Sequence, residues 1–132
     1  MPTPDEFIAD LPLPLRKRAA QLRTLVFELA PHAAERVTWD AISLYDPDRG
    51  GPIKGNICQI VHRDGALRLD FPLGSLMDDP NGVLQAQNKR AGKRYVPIGT
   101  TTPSLTVIRG LIRASLDRPD KPKRMKPTDG SS

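Results

Sequence analysis

The chain predicts a two-layer α+β domain: an antiparallel sheet of four to five strands packed against an N-terminal and a C-terminal helix. Three observations carry the prediction. Apolar residues recur every three or four positions near both ends of the chain, the middle consists of short β-rich runs, and one of those runs alternates strictly. An amphipathic helix and a one-sided sheet each need a partner to bury their apolar faces, and here each supplies the other.

The first helix is written by Leu15, Ala19, Leu22, Val26 and Leu29, which fall on one helical face. Pro12 and Pro14 suit its opening, where a missing amide donor is harmless, and Pro31 stops it, so the helix is expected from about Pro14 to Ala30. A shorter helix is expected from Pro4 to Ala9, with Asp5 and Glu6 in its first turn. Strands are expected at Arg36–Leu44, Asn56–His62 and Ala66–Phe71. Arg63-Asp64-Gly65 joins the last two as a hairpin. Leu67, Leu69 and Phe71 point one way and Arg68 and Asp70 the other, so the sheet has one covered and one open face. Arg94–Ile98 reads as a further strand, and Pro97 places it at an edge or a strand end. In the closing helix Thr102 is the expected N-cap and Pro103 the first position, with Leu105, Ile108, Ile112 and Leu116 as the apolar face. Gly110 either weakens this helix or lets it pack closely on the sheet.

With 132 residues, 38% hydrophobic and 27% charged, the chain has material for one domain and one core. No run approaches the length of a membrane span, so no membrane partner is expected. The opening MPTPDEFIADLP carries acids where a signal peptide carries lysines, which predicts a cytoplasmic location. A single cysteine, Cys58, excludes an internal disulfide and a thiolate-rich zinc site. The net charge of +5 is unevenly spread: residues 118–132 hold +3 of it. That segment is proline-rich and almost without apolar residues, so the folded domain is expected at 1–117 and a basic, disordered tail at 118–132.

No motif specifies a reaction. Cys58 and His62 lie too far apart along one strand to share a metal, and Asp46, Asp48, Asp78 and Asp79 sit in turn-rich segments where aspartates bond nearby amides. No metal or other cofactor is therefore expected. The most suggestive stretch is NKRAGKRYV, Asn88 to Val96, with Lys89, Arg90, Lys93 and Arg94 on one loop. It lacks the G-x-x-x-x-G-K-[ST] pattern and runs into a strand, so it is no Walker loop. Two readings stay open: a solvated turn that guards an edge strand, or a surface that contacts an anion. Trp39 and Phe71 are the candidate apolar walls of such a site, although the only tryptophan equally fits a core anchor.

Three blocks, DEFIADLPLPLRKRAAQLRTLVFELAPHAAERVTW, LRLDFPLGSLMDDPNGVL and GKRYVPI, resemble successive blocks of the YdhG-like family of domains of unknown function. The likeness runs from about Asp5 to Asp117. It departs from the family where Asp40 and Ile42 replace a glycine and a proline after Trp39, and where Ser75 replaces an alanine. It implies an α+β fold with helices on an antiparallel sheet and no established catalytic residues. Some relatives have been regarded as frataxin-like iron chaperones, a role that needs clustered exposed acids, whereas residues 1–117 are mildly basic. The reading that results is a small non-catalytic binding domain, contacting an anionic small molecule or an acidic protein surface through the basic loop and the open sheet face. The alternatives are iron or iron–sulfur delivery by family analogy, weak nucleic-acid binding through the tail, and an unrecognised enzyme.

Overall fold

The computed structural model describes residues 2–120. Its helices are α1 (Pro4–Ala9), α2 (Leu13–Leu29), a single turn α3 (Gly51–Lys54) and α4 (Leu105–Leu116). Its strands are β1 (Ala34–Val37), β2 (Ala41–Tyr45), β3 (Asn56–Arg63), β4 (Ala66–Phe71) and β5 (Arg94–Ile98). They form one five-stranded antiparallel sheet in the order β1-β2-β3-β4-β5. Neighbours in sequence are neighbours in the sheet, and α2 and α4 cover one side of it. This is the expected α+β arrangement, with five strands.

Local chemistry explains most boundaries. Thr3 and Glu6 form a reciprocal capping box at α1: the Glu6 amide donates to the Thr3 hydroxyl at 3.1 Å and the Thr3 amide to Glu6 Oε1 at 2.8 Å. That bond from the Thr3 amide holds the Glu6 carboxyl below its ordinary pKa. The β3–β4 turn carries Asp64 at φ 53° and Gly65 at φ 78°, both in the left-handed region that a two-residue hairpin of this hand requires. β5 is an edge strand, as Pro97 implied. Its outer side is partly closed by Gln85, which exchanges both backbone hydrogen bonds with Tyr95, at 2.8 and 2.9 Å.

The core lies between the helices and the inner sheet face. Leu22 and Val26 of α2 and Ile108 and Ile112 of α4 meet Ile60 and Leu69 of the central strands, all inaccessible to solvent. Each such side chain contributes about 1.5–3 kcal/mol by leaving water. Phe71 belongs to this core and is buried there. Arg18 of α2 is also buried, 4% exposed, and holds the segment after β5: its Nε donates to the Gly99 carbonyl at 3.0 Å and Nη2 to that of Pro103. Arg23, further along α2, bridges Glu35 of β1 and Asp5 of α1.

Four expectations need correction. Arg36–Leu44 is not one strand but the β1–β2 hairpin, closed by the Thr38 amide on the Ala41 carbonyl at 2.8 Å, with Trp39 and Asp40 at the tip. The turn contains neither glycine nor proline, so it carries no breaker that would mark it. The cap of α4 is Ser104, whose hydroxyl accepts from the Val107 amide at 3.2 Å, not Thr102. The buried face of α4 is Ile108, Leu111, Ile112 and Ser115, while Leu105 is exposed. Gly110 does not pack closely on the sheet: a methyl group there would meet nothing within 4 Å.

The boundary at 117 also moves. Arg118 is 4% exposed and donates to the Ser115 carbonyl at 2.6 Å and the Lys54 carbonyl at 3.1 Å. Arg49 donates to the Leu116 carbonyl at 3.0 Å and to that of Arg118, and pairs with Asp120. Two guanidinium groups thus satisfy carbonyls at the end of α4, where a helix has no amides left to do so. The part of the expected tail from Lys121 onward lies outside the described residues.

Candidate functional site

The outer face of the sheet is built from a row of cross-strand neighbours: Arg36, Ser43, Gln59, Asp70 and Tyr95 stand opposite one another across all five strands. Strict alternation in β4 puts Arg68 beside Asp70 on this face. Asp70 is fully buried, and its carboxylate accepts from Arg68 Nε at 3.0 Å and Nη2 at 2.8 Å. Lys93 Nζ adds a third contact at 2.9 Å. The Arg68 guanidinium also lies 4.4 Å from the centre of the Tyr95 ring, within the range of a cation–π contact. A buried acid therefore organises two cations and an aromatic ring on a face that the alternation had marked as open.

The basic loop leads directly into this cluster. Its tip turns on Asn88, whose side-chain oxygen accepts the Arg90 amide at 3.0 Å and whose carbonyl accepts the Ala91 amide at 3.1 Å. Its base is fastened to the segment after β4 by the Ser75 amide on the Gly92 carbonyl, at 2.8 Å. Arg94 folds back, donating from Nη1 to the carbonyls of Ala91 at 2.7 Å and Lys93 at 2.8 Å. Its side chain crosses Gly74 so tightly that a Cβ there would lie 2.5 Å from Arg94 Cβ, which is why this position needs glycine. Lys89 and Arg90 are exposed and make no ion pair among the described residues.

Of the six expected site residues, Lys89, Arg90, Lys93 and Arg94 are brought together, with divided roles. Trp39 and Phe71 do not join them. Trp39 is 95% exposed at the β1–β2 tip, at the opposite end of the sheet from Phe71 and Arg94. Phe71 faces the helices, so it cannot wall a surface site. Arg68, Asp70 and Tyr95 are the cluster residues that sequence reasoning passed over. A signal was available: opposite charges two apart in an alternating strand share a face.

Other polar groups serve the fold. The Asp79 carboxylate accepts the Val83 and Leu84 amides, both at 3.0 Å, beside a cleft of about 410 Å³ lined by Gly110 and Arg113 of α4. Asp46 accepts the Asp48 amide at 2.8 Å and lies 3.4 Å from His32; the Asp48 bond first, and His32 after it, hold its carboxyl below the usual range. Cys58 is buried in the core, and burial pushes its thiol pKa up, away from the reactive thiolate. Among the described residues no three His, Cys, Asp or Glu side chains are grouped to hold a metal ion, and no helix is long and apolar enough to cross a membrane. No protein-family model, curated protein or solved structure matches the chain.

Proposed function

We propose that the chain is a non-catalytic binding domain of YdhG-like type whose basic loop docks an acidic surface of a partner protein. One observation carries this reading: the loop divides its cations into two that hold its base and two that project from its tip. Lys93 is fastened to Asp70 and Arg94 to the loop's own carbonyls, while Lys89 and Arg90 stand exposed without a carboxylate among the described residues. Fixing the base lowers the entropy lost when the tip engages, so its two charges act from a prepared position. Neither Lys89 nor Arg90 lines the cleft beside α4. An exposed tip suits complementary charge across a protein surface better than an enclosed small anion.

The test is titration calorimetry of the chain with poly-L-glutamate at low salt. Saturable binding is expected, weakening as salt screens the charges. Replacing Lys89 and Arg90 together by alanine weakens binding about tenfold, the sum of two exposed ion pairs, while stability changes by less than about 0.5 kcal/mol. Equal binding by wild type and the double variant would sink the proposal.

A further inference from the structure

We infer that the cleft between α3 and the end of α4 is a binding site for a small organic phosphate monoester. The cleft has a volume of about 530 Å³ and is lined by Arg49, Lys54 and Arg118, by Leu73 and Leu76, and by two acids. It is separate from the basic loop and lies at the junction the sequence assigned to the tail.

Arg118 is the unusual member. It is 4% exposed, yet among the described residues its hydrogen-bond partners are neutral oxygens: the Ser115 carbonyl and hydroxyl, at 2.6 and 3.3 Å, and the Lys54 carbonyl at 3.1 Å. A guanidinium cannot shed its proton in a protein, and burial among neutral oxygens leaves its charge balanced only at a distance, by Asp120 and Asp46. Desolvation, and then the like charge of Arg49, both lower the Arg118 pKa, which is the direction expected where cations are forced together. Lys54 is exposed at the mouth and makes no ion pair among the described residues.

Arg49 shows how an oxyanion would sit. A single oxygen of Asp120 accepts from its Nε at 2.9 Å and lies 2.7 Å from its Nη2. The Asp120 side chain is 81% exposed, so little packing opposes its release. With Asp120 withdrawn, three lining cations face Asp48, with Asp46 near enough to act on Arg49 and Arg118. The positive charge that remains suits a phosphate monoester, which carries about −1.5 to −2 at neutral pH. Leu73 and Leu76 give the organic body of the ligand an apolar wall.

The experiment follows backbone amide shifts of the full chain in ¹⁵N-resolved NMR during titration with phenyl phosphate and with inorganic phosphate, at constant ionic strength. Saturable shifts are expected around residues 49, 54 and 118, with phenyl phosphate the tighter of the two. Lys54→Ala should weaken binding about five- to tenfold through loss of one charge-assisted contact. Asp120→Asn should tighten it, because the internal competitor has lost its charge. Both positions are exposed, so each variant folds normally, and Lys89→Ala with Arg90→Ala leaves this binding unchanged. The inference fails if no shift saturates at millimolar ligand, or if Lys54→Ala and Asp120→Asn bind as wild type does. It fails equally if binding is lost only with Lys89 and Arg90; the two arginines are then caps of α4 and nothing more.

Discussion

On the outer face of the sheet the buried charge is an acid, Asp70, clamped by two cations that remain partly in water. On α2 and at the end of α4 the buried charges are arginines, Arg18 and Arg118, whose hydrogen-bond partners among the described residues are carbonyl and hydroxyl oxygens. The first arrangement neutralises its buried charge on the spot, and the cation left over stays partly in water. The second leaves charge standing, because a carbonyl satisfies a donor without neutralising it. The difference teaches that a buried acid is matched by cations that keep part of their hydration, whereas a buried arginine can have its donors satisfied by oxygens that do not neutralise it.

The strongest way to break this comparison is to strip Asp70 of both partners. Replacing Arg68 and Lys93 together by methionine should cost about 3–5 kcal/mol, the range for leaving a buried charge unpaired, read as a shift in urea midpoint. A loss below about 1 kcal/mol would mean that water reaches Asp70 and that the clamp is not what stabilises it. Arg18→Met should cost about 2–4 kcal/mol, since the methionine refills the volume but leaves the Gly99 and Pro103 carbonyls without a donor. A smaller loss than on the acid side is the expected order, because an orphaned carbonyl is cheaper than an orphaned carboxylate.

Lys93→Met alone sharpens the comparison further. The Lys93 side chain is 40% exposed and that of Arg68 only 16%, so Arg68 carries most of the pairing. The loss should be about 1 kcal/mol, and hydrogen exchange at the loop base should quicken as its tether goes. The smallest effect concerns an acid that is not buried in this way. The Asp46 carboxyl has a lowered pKa in the folded state, so its stabilisation is complete above the unfolded value near 3.8 and fades as pH falls through the folded value. Asp46→Asn should therefore cost under about 1 kcal/mol at neutral pH, with the difference from wild type vanishing in acid melts.

Local signals read well from the sequence and long-range ones did not. The Asp64-Gly65 turn, α1 and the alternation in β4 each depend on residues within a few positions, and each is found where expected. The β1–β2 turn was missed because Trp39-Asp40 bends without a breaker, its stability coming from the strands it joins. The burial of Arg18 and Arg118 left no mark in the sequence. Their partners lie 81 and 85 residues away for Arg18, and 64 away for the Lys54 carbonyl on Arg118, distances at which only the folded chain reveals a contact. The candidate site divides in the same way. The basic loop was legible as a run of charges, whereas the capture of Lys93 by Asp70 depends on β4 and β5 being paired in this register.

The Gln85 bridge on the outer side of β5 bears on how molecules of this protein behave when crowded. An edge strand invites another chain to add itself through open amides and carbonyls. Here Tyr95 offers neither, since Gln85 holds both, and Pro97, two positions on and facing the same way, has no amide to give. The opposite edge, β1, is only four residues long. Templated stacking of one copy on the next finds no ladder to extend along β5, so the flank beside the Asp70 cluster resists runaway self-association.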